Sequence, residues 1–229
     1  MTKQTYYNIL LIVFAISIVI SNVVGSRVIT TGIKIGGIEL ATSGGAITYA
    51  FTFLCTDIIG ELWGKNKAVE VVKYGLIGQL FALFMIVITG WFPAMDKGID
   101  EAYKTLLGTN WCFVLGSLCA YYASQLWDVW VFHKLRELYI KHKNIDKNAY
   151  QGQGRWIWNN ISTGTSQIID TAIYTSISFG IGMGWFFQQN MFGTLLGIVI
   201  GQYLIKLAIA IFDTPFFYLL TGRKFRCLR

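Results

Sequence analysis

Ser124-Gln125-Leu126-Trp127-Asp128 and Ser166-Gln167-Ile168-Ile169-Asp170 both read S-Q-x-x-D. Each lies inside a run apolar enough to cross a bilayer. A carboxylate is costly in hydrocarbon, so acids there are rare and mark polar sites between helices. With an amide three residues before each Asp, the two motifs point to a buried site that reads a hydrogen-bonding solute.

Working outward, six runs qualify as spans: 6–24, 45–60, 74–92, 111–132, 157–187 and 191–212. A helical span needs about 20 mostly apolar residues. The second run is short and carries Asp57. The fifth is too long for an upright helix, so it tilts, breaks or begins outside the membrane. Only 14% of the 229 residues are charged, against about a quarter in soluble domains. The chain therefore reads as one all-α membrane domain, 1–229, with six transmembrane helices and little soluble mass.

A net charge of +7 invites a nucleic-acid partner, but its distribution argues against one. Lys3, then Lys65, Lys67 and Lys73, then the basic residues from Lys134 to Arg155, then Arg223 to Arg229 fall in alternate loops on one side. The other side has Arg27, Lys34, Lys97 and Lys104. The positive-inside rule places both termini in the cytoplasm. The basic tail is suited to anionic lipid. Cys55, Cys112, Cys119 and Cys227 form no C-x-x-C and read as free thiols. The first apolar run has no convincing cleavage site, so it reads as a retained helix.

Between the first two spans, Ile33–Leu40 alternates apolar and polar residues around Gly36-Gly37. Such Gly pairs suit tight turns, so a small outer β-hairpin is expected, with Lys34 opposite Glu39. The stretch 93–110 carries Asp96, Asp100, Glu101 and Lys104 and has room for a short amphipathic helix. Residues 133–154 read as a solvated loop with a flexible Gly-rich link at its end. The repeated S-Q-x-x-D fits two inverted three-helix halves, and convergent polar placement explains it equally well.

Asn160, Thr163, Gln167, Asp170 and Tyr174 fall on one face of the fifth span. Such a stripe cannot face lipid. It lines a cavity or bonds to other helices. The fourth span offers Gln125 and Asp128, and the second offers Asp57, with Glu61 at its edge pairing to Lys65. Lys206 lies deep in the sixth span and needs an acid, Asp170 or Asp57. Asp213-Thr214-Pro215 marks that span's inner end, where Pro breaks or kinks a helix. Asn22 either caps the first helix or faces the cavity. The candidate binding residues are thus Asn22, Asp57, Gln125, Asp128, Asn160, Gln167, Asp170 and Lys206. Enzyme signatures are absent, and neither His133 nor His142 is placed like a ligand or base, so no enzyme, metal or cofactor is expected.

Taken together these residues resemble the YhhQ family of queuosine-precursor transporters, also called the vitamin uptake transporter family. The matching features are Ser21-Asn22, Thr56-Asp57 with Glu61 to Lys65, and Gln125 with Asp128 through Phe132 and Arg136. Ser162-Thr163, Gln167 and Asp170-Thr171 follow, then Lys206 and Pro215. The resemblance covers nearly the whole chain. It implies a six-helix bacterial membrane protein that imports a 7-deazaguanine such as preQ0, preQ1 or queuine for a modified tRNA nucleoside. It carries over most firmly for Asp57, Gln125, Asp128, Asp170 and Lys206, and less so for Glu61.

The chemistry suits that ligand. A 7-deazaguanine offers N1–H and an exocyclic amine side by side, which one carboxylate can accept together. Its carbonyl accepts from Gln, Asn or Lys, and its cationic amine, where present, favours a second acid. Asp170 or Asp57 would read the guanine edge, Gln125 and Gln167 the remaining edges, and Asp128 the amine or an inner gate. Asp170→Ala is expected to abolish uptake with folding largely intact. Two other readings stand beside this one. One is the substrate-binding subunit of an energy-coupling-factor transporter, disfavoured because span one has Ala15 alone. The other is a non-transport protein with a polar core. The expected partners are the purine-like base and the bilayer. A homodimer is a further option, although no G-x-x-x-G seam stands out.

Overall fold

The computed structural model describes residues 2–25, 28–35, 38–107, 111–143, 154–182, 184–188 and 192–222. Helix α1 (Lys3–Gly25) is followed by strands β1 (Val28–Ile35) and β2 (Ile38–Ser43). Then come α2 (Gly45–Trp63), α3 (Lys65–Trp91), the short α4 (Lys97–Leu107), α5 (Trp111–His142), α6 (Arg155–Thr175) and α7 (Phe192–Leu220). The strands pair antiparallel with Lys34 opposite Glu39 and a register irregularity between Thr30 and Lys34. The Gly36-Gly37 turn, the Gly-rich link before Gly154, Cys227 and the basic tail lie outside the described residues. Cys55 is buried and Cys119 exposed, both as free thiols.

Among the described residues, α1, α2, α3 and the Val199–Leu220 part of α7 are long and apolar enough to cross a membrane. Their exposed faces are built for hydrocarbon. On α1, Tyr6, Leu10, Phe14 and Ile18 recur every four residues and are buried, while Ile9, Ile12, Ile16 and Ile20 are exposed. A helix apolar on all sides belongs in a core or a membrane. Helix α6 misses that measure because of what it turns inward. It buries Asn159, Thr163, Ser166, Gln167 and Asp170 and exposes Trp156, Ile161 and Ile168.

Close crossings hold the bundle together. A Cβ at Gly75 of α3 would collide with the Phe14 ring of α1 and the Tyr121 hydroxyl of α5. That hydroxyl donates to the Val72 carbonyl at 2.7 Å. Six helix ends meet at one end of the molecule, which the lysines and arginines crowd. There Tyr7 packs edge-on to Trp63, ring centroids 5.5 Å apart. Tyr6 Oη donates to the Leu220 carbonyl at 3.0 Å, and Arg155 Nη1 donates to the Thr221 carbonyl at 2.9 Å.

Several sequence expectations shift. Glu61 faces Arg136 of α5 at 3.6 Å, where Lys65 was the expected partner, because α5 continues to His142 through part of the segment read as a loop. Helix α7 passes Pro215 and ends at Leu220. The proline costs one N–H, but buried Phe217 and the Arg155–Thr221 bond anchor the continuation. The long fifth run breaks: α6 passes into a π-helical stretch, Ser176–Ile181, and a 3-10 turn, Trp185–Phe187, follows.

Candidate polar cleft between three helices

The two S-Q-x-x-D motifs meet across the α5–α6 seam and exchange partners. Ser124 Oγ of α5 donates to Asp170 Oδ1 of α6 at 3.3 Å. Ser166 Oγ of α6 donates to Asp128 Oδ1 of α5 at 3.2 Å. Antiparallel neighbours bring the Ser of one motif beside the Asp of the other. This explains the repeat as a packing device. A duplication of spans one to three as four to six would instead match α6 with α2.

Asp170 centres one polar layer. Its Oδ1 also accepts from Tyr49 Oη of α2 at 2.8 Å, and its Oδ2 takes Lys206 Nζ of α7 at 2.5 Å. Lys206 reaches Thr171 Oγ1 at 3.3 Å and lies 5.8 Å from the Tyr49 ring centre. Four helices thus converge on one ion pair whose side chains are 11% and 7% exposed. An isolated charge could not be held there; a paired and hydrogen-bonded one can.

A second layer lies closer to the basic end. Asp57 and Asp128 lie close enough for their charges to interact, and Asp128 Oδ2 is buried without a hydrogen-bond partner. Thr163 Oγ1 donates to Asp57 Oδ2 at 3.4 Å. Asp213 of α7 completes the layer, close enough to Asp57 for their charges to interact.

Between α2, α6 and α7 these layers open into a cleft with two lobes. The larger takes in about 260 Å³ of space, part of it open to the surroundings, walled by Tyr49, Phe53, Thr163, Gln167, Lys206 and Asp213 among others. The smaller, about 190 Å³, adds Asp57 and Asn159. Phe53, Thr163, Ala210 and Asp213 belong to both. Gln167 Oε1 and Asn159 Oδ1 are buried without a hydrogen-bond donor.

Of the residues singled out from sequence, Asp57, Gln167 and Lys206 line the cleft, and Asp128 and Asp170 brace it from behind. The other three stand apart. Asn22 accepts from Ser117 Oγ at 2.9 Å, joining α1 to α5. Asn160 exchanges hydrogen bonds with Thr214 at 2.9 and 3.1 Å, joining α6 to α7. Gln125 is held by α2, donating to Thr52 Oγ1 at 2.9 Å and accepting from Thr56 Oγ1 at 3.3 Å. Tyr174 packs edge-on against Phe179, centroids 6.2 Å apart. The sequence reading missed Tyr49, Asn159 and Asp213. Tyr49, Phe53 and Asp57 recur every four residues, as do Asn159 and Thr163, and that spacing is the signal that could have found them.

A multi-pass helical membrane protein with a charged cleft inside an apolar bundle is the class these observations define. Residues 43–220, which take in α2 to α7 and so every wall of the cleft, match the family model described as putative vitamin uptake transporter. The chain belongs to that family. It is similar to the probable queuosine precursor transporter of Bacillus subtilis, 29% identical over 175 residues, covering 76% of this chain and 69% of that protein. It is also similar to the probable queuosine precursor transporter of Haemophilus influenzae, 24% identical over 170 residues, covering 73% of this chain and 63% of that one. No solved structure matches the chain.

Proposed function

We propose that this protein imports a queuosine precursor, a 7-deazaguanine base, across the bacterial cell membrane. The observation that carries the reading is the cleft. Acids, amides, a lysine and a tyrosine face each other inside a bundle whose outer surface is apolar. Polar groups at that depth are costly unless they serve a solute path or a fold-holding network. Here several face a cavity. The names of the two relatives support the same ligand class.

In this reading the chain crosses the membrane six times, α5 and α6 being the two crossings whose polar faces are turned inward. Both termini are cytoplasmic, and the β1–β2 pair stands on the outer face. The flat base sits between Tyr49 and Phe53 of α2 and the α7 wall. The test is uptake of radiolabelled preQ0, preQ1 and queuine by cells that can neither make nor otherwise import them. Expression of this chain should restore uptake and the modified tRNA nucleoside. Cells that stay at background, with the protein present in the membrane, would refute the proposal.

A further inference from the structure

The cleft's hydrogen-bond inventory says which kind of base fits. Asp170 is already occupied by Tyr49, Ser124 and Lys206, so it has little left for a ligand. Lys206 is likewise engaged, with Asp170 and Thr171. Among the described lining residues, one acid and two amides remain unanswered. Asp213 walls both lobes, is half-buried, and makes no hydrogen bond or ion pair among the described residues. The amide oxygens of Gln167 and Asn159 lack donors, and each residue is only 3% exposed.

The charges point the same way. Lys206 neutralises Asp170, while neither Asp57 nor Asp213 has a cation among the described residues. Of these two acids, Asp213 walls both lobes and Asp57 only the smaller.

We propose, on the transport reading above, that the cleft takes a cationic base, a 7-deazaguanine with an alkylammonium arm, and that Asp213 receives the ammonium. The Gln167 and Asn159 amides lie about two helical turns apart, one in each lobe, and each can accept from or donate to a different part of the base. An arm ending in an acceptor, such as the nitrile of preQ0, would set acceptor against acceptor. Asp213 is therefore a specificity residue, and Asp170 a brace for the wall.

The experiment is equilibrium binding of preQ1, queuine, preQ0 and N-acetylated preQ1 to the purified full chain in detergent. The expected result is that preQ1 and queuine bind at least about tenfold more tightly than preQ0 and N-acetyl-preQ1, the scale of one charge-assisted hydrogen bond. Asp213→Asn should bring the ratio of preQ1 to preQ0 affinity to within about threefold of unity. The acetylated ligand tests the charge on the unaltered protein, so the result does not depend on that variant folding. Equal or tighter binding of preQ0 overturns the cationic class and leaves the transport reading standing. A preQ1 preference that survives in folded Asp213→Asn overturns the role of Asp213. No binding of any of these bases to well-folded protein overturns the transport reading, and this inference with it.

Discussion

Lys206 and Asp170 show what one buried ion pair contributes to stability. Lys206→Met would leave the Asp170 carboxylate in a dry site without its cation. Breaking a buried pair this way costs about 3–5 kcal/mol. The melting temperature in detergent should fall sharply, and adding Asp170→Asn to the same chain should recover much of the loss. Asp170→Ala should abolish uptake, but it also strands Lys206, so the loss comes with reduced stability that the sequence does not reveal. Residues of this kind were legible because a charge in an apolar run stands out. Gln125 stood out as well, yet its amide is held by Thr52 and Thr56, hydroxyls from another helix that spacing along α5 cannot show. Asp213 was hidden by its neighbour: beside Pro215 it looked like the end of a helix, and the helix runs on to Leu220.

At the scale of elements, packing decides which glycines are needed. Gly75 and Gly78 lie one turn apart on α3. A methyl group at Gly75 meets Phe14 and Tyr121, whereas nothing lies within 4 Å of one at Gly78. Gly75→Ala should cost about 1–3 kcal/mol through overpacking. Gly78→Ala should leave the melting temperature unchanged or raise it slightly, because alanine is the better helix former. Denaturation of the two variants side by side separates the effects. The apolar runs made the helices legible, but their lengths were not. Helices α3 and α5 extend beyond their runs because polar residues at the basic end continue them outside the hydrocarbon-length segment, while α7 runs past Asp213 and Pro215 through apolar residues to Leu220. Those extensions find partners there, among them Glu61 with Arg136.

For the molecule as a whole, the six helix ends that meet among the lysines and arginines define a polarity. The positive-inside rule predicts that this end faces the cytoplasm. A fluorescent protein fused after the last residue should therefore fold and fluoresce. Alkaline phosphatase fused between α3 and α4 should be active, because it would lie outside. The reverse pattern would invert the transport geometry. The overall plan was readable because burial in a membrane constrains helix length and charge so tightly. The cleft was only half readable, because it is assembled from three helices that are far apart in sequence.

The exchange of serines across the α5–α6 seam has a consequence for inheritance. Ser124 serves Asp170, and Ser166 serves Asp128, so neither motif is self-contained. A change at one aspartate releases the constraint on the serine of the other motif, not on its own. Contacting residues tend to vary together. Across descendants of a common ancestor, substitutions should therefore travel in two crossed couples, 124 with 170 and 128 with 166.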